Sequence, residues 1–311
     1  METLLAGLRA AGEPTRLRLL ALCAHGELSV SELTQILGQS QPRVSRHLKL
    51  LVEAGLLDRF REGAMVFYSI SELHGSAHLA RTLVDLLPDD DAELNRDLSR
   101  LDQIRKKRAE LAASYFKENA SRWREIRALH VPQAEVEARM LELIGDERID
   151  TFLDIGTGTG RILELVADQI DRGIGIDTSP EMLAIARAQI EKNKFRHVQF
   201  RKGDMYNMPF DDQSVDLASL HLVLHYCLDP SQVIAEAART LRGKGRLMIV
   251  DFAQHQEEQL RIEHKHQRLG FSDSEIRKSF VDAGLKPGKT VTLAGDPLTV
   301  KIWHAQQPLL H

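Results

Sequence analysis

The sequence predicts a multidomain chain: a small α+β unit at the N-terminus, then a larger α/β unit built on a doubly wound parallel sheet. Three observations carry this. Short amphipathic helices separated by glycines fill residues 1–87 and end in a hairpin pattern. From residue 131 onward, apolar strand runs alternate with helical stretches, which calls for a parallel sheet covered on both faces. A length of 311 residues also exceeds the roughly 250 residues that one hydrophobic core usually serves. Composition is ordinary for a globular chain, 43% hydrophobic and 28% charged. The net charge of -4 gives no global attraction to nucleic acid, so a DNA-binding face has to be local. Cys23 and Cys227 are the only cysteines. They are too few and too far apart for a disulfide framework or a thiolate cluster, which fits a cytoplasmic location. Acidic Glu2 stands where a secretory leader carries basic residues, and no apolar run is long enough to span a membrane.

In the first unit, Pro14 opens a helix with Leu17, Leu20 and Ala21 on one face, and Gly26 ends it. Ser29-Val30-Ser31-Glu32 is a capping box that starts a second helix, closed by Gly38. Ser40-Gln41-Pro42 starts a third, which buries Val44, Leu48 and Leu51 and runs to Gly55. Two short helices around a tight glycine turn read as a helix-turn-helix. The third helix has no acid from Ser40 to Leu51. Its polar face offers Gln41, Arg43, Ser45 and Arg46, with Lys49 beyond, as donors to base edges and phosphates. Leu56–Arg61 and Ala64–Ile70 read as a hairpin across Glu62-Gly63, with Arg59 and Arg61 placed to touch the minor groove or the DNA backbone.

These residues resemble the winged helix of ArsR/SmtB-type regulators over Leu17 to Ile70. The matching stretches are Pro14-Thr15-Arg16-Leu17, Gly26-Glu27-Leu28, Ser45-Arg46-His47-Leu48-Lys49-Leu50-Leu51 and Ala54-Gly55-Leu56-Leu57. The resemblance implies a double-stranded DNA operator as partner. Metal-sensing members carry Glu-Leu-Cys-Val-Cys in the second helix. Here the segment is Glu27-Leu28-Ser29-Val30-Ser31, and hydroxyls do not hold a soft ion. His74 and His78 lack the Asp-x-His spacing of a second metal site, so no metal is expected.

Pro88-Asp89-Asp90-Asp91 marks a boundary, and residues 88–130 read as a helical connector. Leu94, Leu101 and Tyr115, with Ile104 and Leu111 between, form a short amphipathic seam interrupted by Arg108. It can make a dimer contact or pack on its own domain. A reader of palindromic DNA needs a two-fold dimer, which favours a homodimer made at least partly here.

The third segment, 131–311, has strands at Thr151–Ile155, Gly173–Asp177, Val198–Lys202, Val215–Leu220 and Gly245–Asp251. Apolar runs at Thr290–Leu293 and Thr299–His304 suggest a closing hairpin. The first strand runs into Leu153-Asp154-Ile155-Gly156-Thr157-Gly158-Thr159-Gly160-Arg161. Glycines at alternate positions let a ligand approach the backbone. Asp154, at the strand end, repels phosphate and attracts an ammonium or sulfonium. A dinucleotide fingerprint would need a third glycine where Arg161 stands. The D-x-G-x-G-x-G pattern resembles motif I of the class I S-adenosylmethionine-dependent methyltransferases, a likeness covering roughly the last 200 residues and implying a Rossmann-like methyltransferase fold. Asp177 ends the next strand, 21 positions after Gly156, and suits the ribose hydroxyls. Thr178 then leads into a helix that sets Met182 against the adenine. Asp204 and Met205 end the third strand and face the adenine edge. In the resembling enzymes the segment before the domain folds over the cofactor. Tyr115 and Trp123 are therefore either lid residues or core aromatics docking the connector.

The fourth strand continues into His221, His225 and Tyr226. These line an acceptor pocket or floor the cofactor site, and no catalytic residue is assigned. The stretch lacks Asn-Pro-Pro-Tyr and Pro-Cys, and looks more like small-molecule methyltransferases of the quinone-methylating type. A single cysteine in this domain argues against arsenite as acceptor. The histidine-rich stretch Glu263–Ser272 is placed to cap the site. The first expectation is a transcriptional regulator that senses S-adenosylhomocysteine or S-adenosylmethionine, the former favoured because its accumulation signals a stalled cycle. Resembling fused regulators imply control of methionine and adenosylmethionine cycle genes. The alternative is an active small-molecule methyltransferase with an accessory winged helix.

Overall fold

A computed structural model describes residues 1–62, 65–71, 76–108, 110, 132–264 and 266–309, which fall into two units. The N-terminal unit comprises α1 (Glu2–Ala11), α2 (Pro14–Cys23), β1 (Leu28–Ser29), α3 (Val30–Leu37), α4 (Gln41–Glu53), β2 (Leu57–Glu62), β3 (Met65–Ile70), α5 (Ser76–Asp85) and α6, described over 92–108. Both halves of the Ser29–Glu32 capping box form at the start of α3. Gly38, at φ +63, ends α3 in a left-handed turn that an L side chain resists, and so sets the angle of α4,. Leu33, Ile36, Val44, Leu48 and Leu51 are fully buried between the helices, each contributing roughly 1.5–3 kcal/mol. β2 and β3 pair antiparallel with Arg59 opposite Tyr68. The two-residue β1 adds a third strand that sequence patterning did not show.

The seam expected in the connector is used inside this unit. Leu101 and Ile104 are buried in the unit's own core. Asp97, fully buried, takes a two-pronged ion pair from Arg18 at 2.6 and 2.8 Å. Arg108, which interrupted the apolar pattern, donates to both carboxylate oxygens of Glu32. Of the two uses the spacing allowed, Leu101 and Ile104 take the second and pack on their own domain. Leu111, Tyr115 and Trp123 lie outside the described residues.

The C-terminal unit follows in the order α7 (Gln133–Ile144), β4 (Ile149–Ile155), α8 (Arg161–Val166), β5 (Ile170–Asp177), α9 (Pro180–Asn193), β6 (Val198–Lys202), β7 (Val215–His221), α10 (Pro230–Thr240), β8 (Leu241–Phe252), α11 (Gln259–His264), α12 (Asp273–Asp282), β9 (Lys286–Pro287), β10 (Val291–Leu293) and β11 (Val300–Gln306). The sheet order is β10-β11-β8-β7-β4-β5-β6, with β9 also on β11. β4 pairs in parallel with β5 on one side and β7 on the other. The closing hairpin β10–β11 runs antiparallel and joins β8. Strand order reverses between β4 and β7, so the helices diverge there and leave a crevice at the carboxyl ends of the strands. The five expected parallel strands are present. β8 starts earlier, at Leu241, and β9 was unanticipated. α7 also went unread, although Val136, Met140 and Ile144 repeat every fourth residue and are buried.

Candidate functional site

A cleft of about 490 Å³ opens at that reversal. Asp154, Gly156 and Gly158 reach it from the end of β4, and Asp177, Thr178 and Met182 from the end of β5 and the start of α9. Met205 and His221 also line it, as do His225 and Tyr226. The glycine turn is tied down by the Thr157 N–H, which donates to the Ile176 carbonyl at 2.8 Å. At Gly156 a Cβ would sit 2.5 Å from Val223 Cγ2, whereas at Gly158 it would meet nothing within 4 Å. Gly158 is therefore the glycine whose bare backbone is open to the cleft. Gly160 does not line the cleft. It caps α8, where a Cβ would press on Phe200 and Ala186 at 3.0 and 3.1 Å, so its smallness serves packing.

The acids differ in what already holds them. Asp154 is 1% exposed. Its Oδ1 accepts from the Ser219 hydroxyl at 2.6 Å, while its buried Oδ2 has no hydrogen-bond partner. Burial pushes this carboxyl up to about 6, against the Ser219 and Thr157 hydroxyls, and the Asp177 charge pushes the same way as burial. A buried carboxylate oxygen in a cleft wall calls for a cationic donor. Asp177 accepts backbone N–H groups from Gly158 at 2.9 Å and Ser179 at 2.8 Å. That fixes the carboxylate plane and leaves further lone pairs for other donors. Asp204 is not in the cleft wall. Its carboxylate accepts the Tyr206 N–H at 3.0 Å and closes its own turn, the local side-chain bonding to which aspartate is prone. Tyr115 lies outside the described residues.

Sequence reasoning missed the support behind the turn. Arg161, the first residue of α8, donates from Nε and Nη2 to the two oxygens of Glu137 at 2.9 and 2.7 Å. Gln133, a cleft residue, donates to the same carboxylate. The opposite wall is aromatic, formed by His225, Tyr226, Phe252 and His266. His266 comes from the histidine-rich stretch expected to cap the site.

In the N-terminal unit, Gln41, Arg43, Arg46 and Lys49 are exposed on α4, and Ser45 is half-buried beside them. Lys49 pairs with Glu53 at 3.6 Å on the surface. Arg59 and Arg61 are exposed on β2. The seven residues thus lie on a helix face and one strand of the same unit, a placement suited to a groove and its flanking phosphates.

In this chain a segment matching the helix-turn-helix of bacterial arsR regulatory proteins precedes a segment matching a methyltransferase domain. The family model for bacterial regulatory proteins of the arsR family matches residues 13–59, and that for the methyltransferase domain matches 153–249. Among particular proteins, the chain is 33% identical over 108 residues to an arsenite methyltransferase from Halobacterium salinarum, covering 34% of this chain and 28% of that protein. It is 34% identical over 116 residues to a demethylmenaquinone methyltransferase from Thermotoga maritima, covering 36% and 48%. The chain spans less than half the length of these curated relatives. A solved complex of the Haloferax volcanii Trm112 methyltransferase activator with a methyltransferase is similar in fold, with a TM-score of 0.51 and 25% identity over 63% of this chain and 97% of that one.

Proposed function

We propose that this chain is a DNA-binding transcriptional regulator whose methyltransferase domain binds S-adenosylmethionine or S-adenosylhomocysteine and reports its occupancy to the winged helix. Residues 1–87 act as the DNA-binding domain, 88–130 as the connector and 131–311 as the ligand-binding domain. The observation that carries the reading is the unpaired, buried Oδ2 of Asp154 in the wall of a cleft. It fits the ammonium of an adenosyl amino acid and repels a phosphate. Asp177 would take the ribose hydroxyls, Gly158 the close approach of the ligand, and Met182 the adenine face. When bound, S-adenosylmethionine supplies an electrophilic methyl group.

Arg100 of α6 donates to the Ile36 carbonyl at 2.6 Å, two residues before the Gly38 turn. The connector is thus bonded to the helix-turn-helix itself, which supports coupling to it. The exposed Leu4, Leu5 and Leu8 of α1 offer an apolar stripe for a homodimer, in place of the connector seam. We place the protein in the cytoplasm and its targets among genes of the methionine and adenosylmethionine cycle. No helix among the described residues is long and apolar enough to cross a membrane.

The test is a gel-shift titration on the DNA upstream of its own gene, with and without each adenosyl ligand. Ligand should change operator affinity. Equal affinity in all three conditions refutes sensing, because a ligand that binds both states equally shifts nothing. The second reading, an active methyltransferase with an accessory winged helix, is favoured by the aromatic wall and its histidines.

A further inference from the structure

We infer that His225 and Asp251 make the cleft a site of methyl transfer to a hydroxyl carried on an aromatic ring, with His225 accepting the hydroxyl proton. This rests on the adenosyl-ligand reading above.

Asp251 lies near the end of β8, and His225 lies in the turn after β7, the adjacent strand. Nδ1 of His225 stands 2.8 Å from Asp251 Oδ1. The His225 backbone N–H donates to the other carboxylate oxygen at 3.1 Å, and the Phe252 N–H donates to the first at 2.8 Å. Asp251 is 0% exposed and the His225 side chain 3%. The His225 carbonyl accepts from the backbone N–H groups of Gln267 and Arg268, both at 3.0 Å. Ring and backbone are therefore held together. A carboxylate only accepts, so in the neutral imidazole the proton sits on Nδ1 and the lone pair on Nε2. Among the described residues Nε2 has no hydrogen-bond partner, and His225 is part of the cleft wall. A base oriented by a buried acid is the arrangement of general-base chemistry.

Sheet order separates the two halves of the reaction. Asp154 and Asp177 hold the ligand from β4 and β5. The pair His225–Asp251 sits on β7 and β8, across the strand reversal. Around His225 stand the rings of His266 at 4.0 Å, Tyr226 at 4.2 Å and Phe252 at 5.3 Å. Burial pushes His266 down to about 3, so that ring stays uncharged near neutrality. A flat, neutral ring suits such a slot, and a charged or bulky aliphatic acceptor does not.

In the step, the acceptor oxygen bonds to the methyl carbon while its O–H proton passes to His225 Nε2. The carbon–sulfur bond breaks and its electron pair remains on sulfur. The products are the aryl methyl ether, S-adenosylhomocysteine and an imidazolium facing Asp251, which loses its proton to water when the product leaves. His225 is the catalytic residue and Asp251 a positioning residue.

The probe is 4-nitrophenol, whose visible band appears only when its proton is lost. Protein saturated with S-adenosylhomocysteine is mixed with it at a pH below the probe's own pKa. The bound probe should show the nitrophenolate band, and labelled S-adenosylmethionine should methylate it. In His225→Gln both should fall by roughly 100-fold or more, with S-adenosylhomocysteine affinity by calorimetry kept within a few-fold. Asp251→Asn, which moves the proton to Nε2, should also lose the band, and thermal melts of both variants identify any that does not fold. A folded wild type that does not bind S-adenosylhomocysteine overturns the adenosyl reading. A wild type that binds it but gives no nitrophenolate band, or variants that keep the band, overturn the base assignment alone.

Discussion

Replacing Asp154 by asparagine should raise stability and lower ligand affinity together, a combination that few other roles produce. The carboxyl rises from 3.8 to about 6 because burial strips it of water. That difference, times 1.36 kcal/mol per unit, is about 3 kcal/mol. The folded carboxyl holds its proton more tightly than the unfolded one. Its contribution to stability is therefore fully present below about 4 and declines as pH rises through about 6. Asparagine has no charge to lose and keeps an oxygen for the Ser219 hydroxyl. At pH 8 the ligand-free variant should thus be more stable by up to about 3 kcal/mol, and it should lack the decline between pH 4 and 6. An ammonium facing an amide instead of a carboxylate loses roughly 1.5–3 kcal/mol, or about 10- to 150-fold in Kd.

Urea titrations on a Trp123→Phe background leave Trp303, buried in the C-terminal sheet, as the one tryptophan reporting on that unit. Calorimetry with S-adenosylhomocysteine gives the affinity. A variant no more stable than the parent at pH 8, with the same pH slope, would show that Asp154 is not a strained carboxylate. Unchanged affinity would show that the ammonium binds elsewhere.

Gly156→Ala should destabilise the C-terminal unit by about 2 kcal/mol or more in urea, since its Cβ meets Val223 at 2.5 Å with φ at +71,. Gly158→Ala should cost only about 1 kcal/mol of stability, its larger effect falling on adenosyl affinity. Asp177→Ala frees two backbone N–H groups and a ribose acceptor, and calorimetry should register a loss of roughly 1.5–3 kcal/mol in binding. Arg46→Ala, at an exposed position on α4, should abolish operator binding in gel shifts while leaving adenosyl affinity and melting temperature unchanged. The two adenosyl ligands should move operator affinity in the same direction, with midpoints less than about 30-fold apart.

The parts of the fold readable in advance were those written in local chemistry. The Ser29–Glu32 box, the turn at Gly38, and the burial of Val44, Leu48 and Leu51 follow from spacing alone. So do the strand ends that carry Asp154 and Asp177. What stayed hidden depended on distance along the chain or on identical local signals with different uses. Gly158 and Gly160 look alike in sequence, yet one faces the cleft and the other makes room for Phe200. Leu101 and Ile104 have the spacing of a dimer seam, and nothing local says whether the surface they meet is another chain or their own. Asp204 ends its strand as Asp177 does, but turns back on the Tyr206 amide. Asp251 follows His225 by 26 residues, and only the parallel pairing of β7 with β8 brings them together.

The contrast between an empty and a filled cleft is physically larger than the contrast between the two ligands. Both carry the same ammonium, so Asp154 responds to either by the same relief of a buried charge, up to about 3 kcal/mol. The ligands differ by one methyl and one positive charge at sulfur. In the proposed pose that charge lies toward Tyr226, Phe252 and the neutral His266. A cation against such rings gains roughly 0.5–2 kcal/mol, which is about 2- to 30-fold. Reversing a two-state equilibrium from 1:99 to 99:1 takes about 5.5 kcal/mol. Discrimination between the ligands at this wall falls well short of that. A regulator built on this cleft therefore reads mainly how much adenosyl ligand is present, and grades that response by which one it holds.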